Sequence, residues 1–513
     1  MVSTSRTSHP PAGGDATAQD GHHPRLGLLL ATMCSALGLV IAATSSLALA
    51  LPDVAADTGA TQSQATWVVN AYALVFAALL LPIGIAADKL GRRGFLVGGL
   101  GLFAAATAVS GLLDDPVAVI ALRGVAGLGA AAVMPATLSV LVEAFPEDRR
   151  DRAVSVWAAV SGAGAMVGLV VAGLLLESFW WGSVQLTTGA AAAVLALVCL
   201  RVVPPSRNPD LRLDPAGAVL SLVGLAGIVY AVVEGPEIGW TSPRVVVAAA
   251  VGVVALGAFV GHEMRTEAPM LDVRLFRSRW LATGSVLVFL QFFSAYAFFF
   301  LGPQWLQYVQ GEGPLGAAAW FLPFALGVAP ASLLAPVLID RLGPGTVGAW
   351  GMAQMGLALG AVALQADGET SLWWFAATVV VLSFGFGLAV TPGTSLIIGG
   401  LPEDRRTLSA AVNDVTREVG GALGSAVAAS VLLAVYGARL DGLTGLPGPV
   451  AAAAEAGFVQ AAGAAGELPP REGARLLSTA TDAFGDGFAT ALWMAAAVLV
   501  LGAVATAVGA RRR

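Results

Sequence analysis

The chain has 513 residues, of which 57% are hydrophobic and only 12% charged, with 27 Lys and Arg against 33 Asp and Glu for a formal net charge of -6. A soluble domain carries about 25% charged residues, so this composition argues against a soluble globular protein. The apolar residues come in long runs rather than periodic stripes, which predicts a polytopic all-α membrane protein.

A membrane-crossing helix needs about 20 apolar residues, and fourteen such stretches follow one another: 26-51, 65-86, 95-113, 116-141, 153-176, 182-203, 213-233, 245-262, 279-300, 314-338, 345-365, 371-392, 407-436 and 485-510. Residues 1-24, rich in Ser, Thr, Gly, Pro and His without a cleavable signal pattern, read as a disordered cytoplasmic tail. Lys and Arg gather in that tail, in alternate loops from Lys89 to Arg93 onward, and at Arg511-Arg513. By the excess of cations in cytoplasmic loops, both termini are expected in the cytoplasm. Cys34 and Cys199 fall inside predicted helices and read as small packing residues rather than a disulfide. The segment 437-484 is expected to be a long external loop, in which Pro449-Ala462 and Arg471-Phe484 can form short helices.

Two polar cassettes recur in the same order. Asp88-Lys89-Leu90-Gly91 returns as Asp340-Arg341-Leu342-Gly343 at an offset of 252, and Pro146-Glu147-Asp148-Arg149-Arg150 returns as Pro402-Glu403-Asp404-Arg405-Arg406 at an offset of 256. Gly164-x-x-x-Gly168 is repeated as Gly420-x-x-x-Gly424, again at 256. Equivalent spans are therefore eight apart. An even offset preserves orientation, so the repeat is parallel, with its site expected at the interface of the copies. The expected division is a tail (1-24), a six-helix bundle (25-204), two additional helices (205-265) and a second six-helix bundle (266-513) that includes the external loop.

The first cassette lies in Gly84-Ile85-Ala86-Ala87-Asp88-Lys89-Leu90-Gly91-Arg92-Arg93, which resembles the signature loop of the major facilitator superfamily. Gly84 permits close helix approach, Gly91 a tight turn, and Asp88 with Arg92 a charge pair. Arg123 followed by Gly127-Leu128-Gly129 is similar to that superfamily's fourth-helix motif, with Ala126 where drug exporters usually carry Gln. The fifth span, with Gly162, Gly164, Gly168 and Gly173, looks like the antiporter motif but has Leu169 where its Pro would stand. Trp67-Val68-Val69-Asn70-Ala71-Tyr72, Met134-Pro135-Ala136-Thr137-Leu138-Ser139, Trp181-Gly182-Ser183-Val184, Pro269 to Phe276 and Gln304-Trp305-Leu306-Gln307 resemble the fourteen-helix drug:H+ antiporters, especially quaternary-ammonium exporters. The resemblance implies a major facilitator fold of fourteen helices (6+2+6). In that group acids occur where this chain has Ala43, Asn70 and Val328.

The thirteenth span then holds the carboxylates well inside the predicted membrane core. Asp414 and Glu418 share one helix face, with Arg417 three residues beyond Asp414. Asp414, Glu418, Arg417 and Arg123 are the candidates for proton coupling, because an ionisable group at such depth is costly unless paired or used. A lasting Asp414-Arg417 pair is the competing reading, and it leaves Glu418 as the proton carrier. Asn70, Tyr72, Gln291, Phe292, Tyr296 and Asn413 are candidates for the substrate pathway. The resemblance further implies that each half's acidic loop faces the other half's pentapeptide. Gly84, Asp88, Gly91, Arg92, Asp340 and Gly343 would then form a two-part cytoplasmic latch, unequal because Pro344 stands opposite Arg92.

These readings converge on a proton-coupled antiporter that exports amphipathic small molecules across the bacterial cytoplasmic membrane by alternating access. The alternatives are a proton-independent uniporter or importer and, from another class, a non-transporting membrane sensor or scaffold. The expected partners are the small molecule, protons and the lipid bilayer, with the chain acting as a monomer. No nucleotide loop, metal-ligand cluster or nucleophile constellation is present in the sequence, so no enzyme, cofactor or nucleic-acid role is indicated.

Overall fold

A computed structural model describes residues 23-208, 212-267, 269-366, 368, 371-401, 409-440 and 446-511. The expected tail and the second Pro-Glu-Asp-Arg-Arg copy lie outside the described residues. In chain order the helices are α1 (His23-Thr58), α2 (Gln62-Leu90), α3 (Arg92-Ser110), α4 (Pro116-Ala144), α5 (Glu147-Leu176), α6 (Gly182-Val202), α7 (Pro215-Ile238), α8 (Pro243-Glu263), α9 (Arg279-Tyr308), α10 (Pro314-Phe321), α11 (Pro323-Leu342), α12 (Pro344-Ala363), α13 (Leu372-Gly399), α14 (Ser409-Leu440), α15 (Gly448-Ala456), α16 (Phe458-Glu467) and α17 (Pro470-Arg511). Among the described residues there is no strand. Thirteen helices, counting α10 and α11 as one, are long and apolar enough to cross a membrane, and α5 adds a shorter apolar stretch, Ala163-Leu176.

Helix ends follow local chemistry. The Thr61 hydroxyl accepts from the Gln64 N-H at 3.2 Å and Gln64 Oε1 accepts from the Thr61 N-H at 3.0 Å, a reciprocal cap that starts α2. Asp115 caps α4 ahead of Pro116. The turns after α2 and α11 are made at Gly91 (φ 134°) and Gly343 (φ 79°), so both copies of the first cassette close on a glycine in a backbone conformation that side chains disfavour.

The repeat is visible in packing. A Cβ on Gly164 would lie 3.1 Å from the Gly38 carbonyl, and one on Gly420 2.7 Å from the Phe289 carbonyl. Gly168 and Gly424 press in the same way on the carbonyls of Ala42 and Phe293. Thus α5 on α1 and α14 on α9 are equivalent contacts, the partner carbonyls being 251 residues apart in both cases. Small residues are what lets the backbones approach so closely.

Helices α7 and α8 pack on each other through Gly224, Gly227 and Gly252. Leu225, Val229 and Val233 of α7 then bury against Leu74, Ala77 and Ala78 of α2 and Ala426 of α14. The pair therefore covers the seam between the two repeats on its α2 and α14 side. The expected helices of the external segment differ in detail. Gly457 (φ 149°) breaks 449-462 into α15 and α16, while 471-484 continues through Gly485 and Gly487, neither at positive φ, into the last long helix as α17.

Candidate functional site: a charged cluster at the seam of the repeats

The end bearing Thr58 and Tyr308 is drawn together by contacts between the repeats. Gln62 Nε2 donates to Gln304 Oε1 at 3.1 Å, Gln307 Nε2 donates to the Leu49 carbonyl at 3.0 Å, and a Cβ on Gly173 of α5 would meet the α10 backbone at Leu315, 3.1 Å away. Over this closure lies the α15-α16 hairpin, with Phe458 stacked on Tyr308 at 4.5 Å and Gln460 donating to the Ala60 carbonyl. Deeper in, Ser425 of α14 donates to Asn70 Oδ1 of α2 at 2.6 Å, again from one repeat to the other.

Beneath that bond is the ionisable face of α14. Arg417 Nη2 lies 3.2 Å from Glu418 Oε1 and 3.8 Å from Asp414 Oδ1. Against the competing reading of a lasting Asp414-Arg417 pair, the guanidinium lies nearer to Glu418 than to Asp414. Arg417 also reaches out of its own repeat, with Nη2 3.7 Å from Met134 Sδ of α4. Its guanidinium sits 5.6 Å from the Phe292 ring centre, within cation-π range. Glu418 is 5% exposed.

The other candidates divide into groups. Phe292 meets Phe386 at 5.4 Å and Tyr296 at 6.3 Å, giving an aromatic wall beside Arg417. Gln291 is fully buried and donates to the Phe386 carbonyl at 2.8 Å, which ties α9 to α13 behind that wall's Phe386. Asn413 Oδ1 accepts from Thr394 at 3.3 Å. On the first repeat, Tyr72 donates to the Val40 carbonyl at 3.0 Å and lies under the Arg123 guanidinium, 4.5 Å from it. Arg123 is fully buried; Nε donates to the Val68 carbonyl at 3.2 Å, and Nη1 and Nη2 have no hydrogen-bond partner among the described residues. Tyr72 lies ten residues after Gln62 in α2, and Glu418 nine residues after Ser409, the first described residue of α14, about 15 and 14 Å along their helices.

The Asp88 cassette makes the expected pair with Arg92 and adds partners within its own repeat. Asp88 Oδ1 pairs with Arg92 Nε at 2.5 Å, and Arg92 also binds Glu143 of α4. The Asp88 carbonyl accepts from the Asn208 N-H at 2.7 Å, and the Arg92 N-H donates to the Ser206 carbonyl at 3.1 Å. The described contacts thus stay with α4 and with the segment after α6, and the pentapeptide expected to face this loop lies outside the described residues. Gly84 does make the expected close approach: a Cβ there would be 3.2 Å from Pro135 of α4. Asp340 is exposed.

Two clusters escaped the sequence reading. Trp67 Nε1 donates to Glu234 Oε1 at 2.7 Å, joining α2 to the last turns of α7. The seventh span was expected to stop at 233, but α7 runs on through Pro236 to Ile238 and carries Glu234 with it. At the other end of the pair, His262 Nε2 lies 2.9 and 3.0 Å from the two Asp214 oxygens, and buried Glu263 accepts from the Leu271 N-H at 3.0 Å. The only sequence signal was the polar set Asp214, His262 and Glu263 bordering two apolar spans.

A two-repeat helical membrane protein with a buried arginine-carboxylate cluster at the seam is the architecture of a secondary transporter. The family model of the Major Facilitator Superfamily matches residues 28-425, and the chain belongs to that superfamily, among its drug-efflux members. It is 31% identical over 491 residues to the multidrug efflux pump LfrA of Mycolicibacterium smegmatis, covering 95% of this chain and 97% of the relative. It is 30% identical to the tetracenomycin C resistance and export protein of Streptomyces glaucescens, covering 98% and 95%, and 34% identical to the puromycin resistance protein pur8 of Streptomyces alboniger, covering 80% and 83%. A bacterial homologue of the human lysosomal transporter Spinster, solved inward-facing and unoccupied, superposes with a TM-score of 0.67 at 15% identity, covering 94% of this chain and 98% of that one. The protein is a multi-pass transporter of the bacterial inner membrane with a small-molecule substrate.

Proposed function

We propose that the protein is a proton-coupled antiporter that exports amphipathic small molecules by alternating access. One observation carries the reading: α14 brings two carboxylates and Arg417 to the seam between the repeats, below the Asn70-Ser425 bond that joins them. Protonating Glu418 or Asp414 removes a negative charge from Arg417 and frees its guanidinium to bind elsewhere. A ligand or proton shifts a conformational equilibrium only by binding its two states differently. Contact of Arg417 with α4 of the other repeat supports such a difference, because the contact depends on how the repeats are placed. Cationic loops in the cytoplasm would put the Thr58 end outside, and the contacts that close that end support an outward-closed state. Names of the relatives support export of drugs and natural products, while the Phe292, Tyr296 and Phe386 wall beside Arg417 supports an aromatic, amphipathic substrate.

Purified protein in vesicles with an imposed pH gradient should accumulate substrate in exchange for protons, and the double variant Asp414→Asn, Glu418→Gln should abolish it. Full gradient-driven transport by that variant would refute the coupling assignment, and transport insensitive to a protonophore would select a uniporter.

A further inference from the structure

The seam that α7 and α8 cover is not filled. A cavity of about 200 Å³ remains between the pair, α2 and α14, lined by Ala78, Ser221, Phe259, Val415 and Val419 among others and floored by Leu271 of the segment leading into α9. Its one hydroxyl, on Ser221, is satisfied by the carbonyls of Ala218 at 3.0 Å and Ala78 at 3.4 Å. No polar group is left for water or a polar ligand, and an apolar cavity stays dry until an apolar occupant enters.

The cavity is separate from the charged cluster. Val415, Val419 and Leu423 face it, whereas Asp414, Arg417 and Glu418 lie on the other side of the same helix, about 140° round its axis at 100° per residue. The body of α14 stands between them. The far wall is α8, whose Val253 and Val254 are exposed on its outer side, where the bilayer lies. At the floor, the Leu271 N-H bond to Glu263 fixes a segment that carries Arg265, Arg274, Arg277 and Arg279 against Glu267 and Asp272. Arg265 and Arg274 are exposed there.

We propose that this cavity binds the acyl chain of an anionic phospholipid from the leaflet at the Leu90 end, with the headgroup against the arginines of the 264-279 segment. The chain restores the dispersion contacts that the lining residues lack across the void. The rim supplies charge selectivity of the kind basic inter-helix sites show for anionic headgroups. Because α2 belongs to one repeat and α14 to the other, the lipid bridges the moving parts without entering the charged cluster.

The test uses the full-length protein taken from nanodiscs containing phosphatidylglycerol and phosphatidylcholine in equal amounts. Retained lipid is counted by native mass spectrometry, and phosphatidylglycerol bearing an acyl diazirine maps the site. Phosphatidylglycerol should be retained in preference, with label on α7 and α14 around Ser221, Val415 and Val419. Removing charge with Arg265→Gln or Arg274→Gln should lower retention about fivefold for the arginine that holds the headgroup, at about 1 kcal/mol per basic residue. Filling the cavity with Ser221→Leu, or separately with Ala78→Leu, should remove that label while leaving label on the outer side of α8. Thermal unfolding of each variant guards against a misfolded one. Equal retention of the two lipids would overturn the proposal, as would label undiminished in both filled variants. Displacement of the label by a hexadecyltrimethylammonium cation alone would also overturn it, by making the cavity a substrate site. No gradient is imposed, so the outcome is independent of proton coupling.

Discussion

Ser425 donates a 2.6 Å hydrogen bond to Asn70, joining α14 of the second repeat to α2 of the first at positions where Asn70 is fully buried. The bond is made only while the two helices stay together, so it is one of the contacts that must break for the Thr58 end to open. Removing either partner should favour opening. A buried hydrogen bond contributes about 1 kcal/mol, hence Ser425→Ala should raise the opened population about fivefold. Spin-label distances between sites near Thr58 and Tyr308 would read this. An unchanged distance distribution would show that the bond survives in both states.

Removing Arg417 should destabilise the protein more than removing Glu418. Arg417→Leu leaves Asp414 and Glu418 buried on one face with no cation, and orphaning a buried charge costs about 3 to 5 kcal/mol. Glu418→Gln leaves Arg417 with Asp414, 3.8 Å away. Thermal unfolding in detergent gives the order directly. The reverse order would mean that the carboxylates are already protonated in the folded protein.

Asp88→Asn should impair transport more than Asp340→Asn. Asp88 holds Arg92 at 2.5 Å, and Arg92 reaches on to Glu143, whereas Asp340 is exposed and Pro344 occupies the place of Arg92. Uptake assays with equal amounts of the two variants decide it, equal loss being the contrary result.

Acid should erode the cap on α7. Burial pushes the Asp214 carboxyl upward, but the Gly217 N-H and the His262 ring outweigh it, so its pKa sits below the usual carboxylate value. A group depressed in the folded state contributes stability above its unfolded pKa of about 3.9 and loses it as pH falls through the folded value. Asp214→Asn removes the charged interaction, while Asn still caps. The difference in stability between wild type and variant should therefore shrink as pH falls below about 4. A difference that grows in acid would contradict the depressed pKa.

Much of the fold was legible because it depends on local properties. Run length marks the long helices, and the repeated glycine pairs mark their equivalent packing: Gly164 and Gly420 do sit on corresponding carbonyls. The boundary of α7 was misjudged because Glu234 reads as a polar stop, and only the indole of Trp67 explains why a carboxylate is tolerated there. Arg92 showed its near partner Asp88 in the sequence, but Glu143 lies 51 residues on, across a helix packing that no spacing encodes.

By itself, the sequence determined that this is a duplicated membrane protein with Asp414, Arg417 and Glu418 within one apolar helix, since hydrophobicity, charge placement and repeat spacing are written residue by residue. Tertiary structure decided which carboxylate Arg417 prefers, which end of the molecule is closed, and that α7 and α8 roof the α2 and α14 seam over a cavity. Those depend on the rotation of each helix about its axis and on close contacts between residues far apart in the chain. Such relations exist only once the helices have packed.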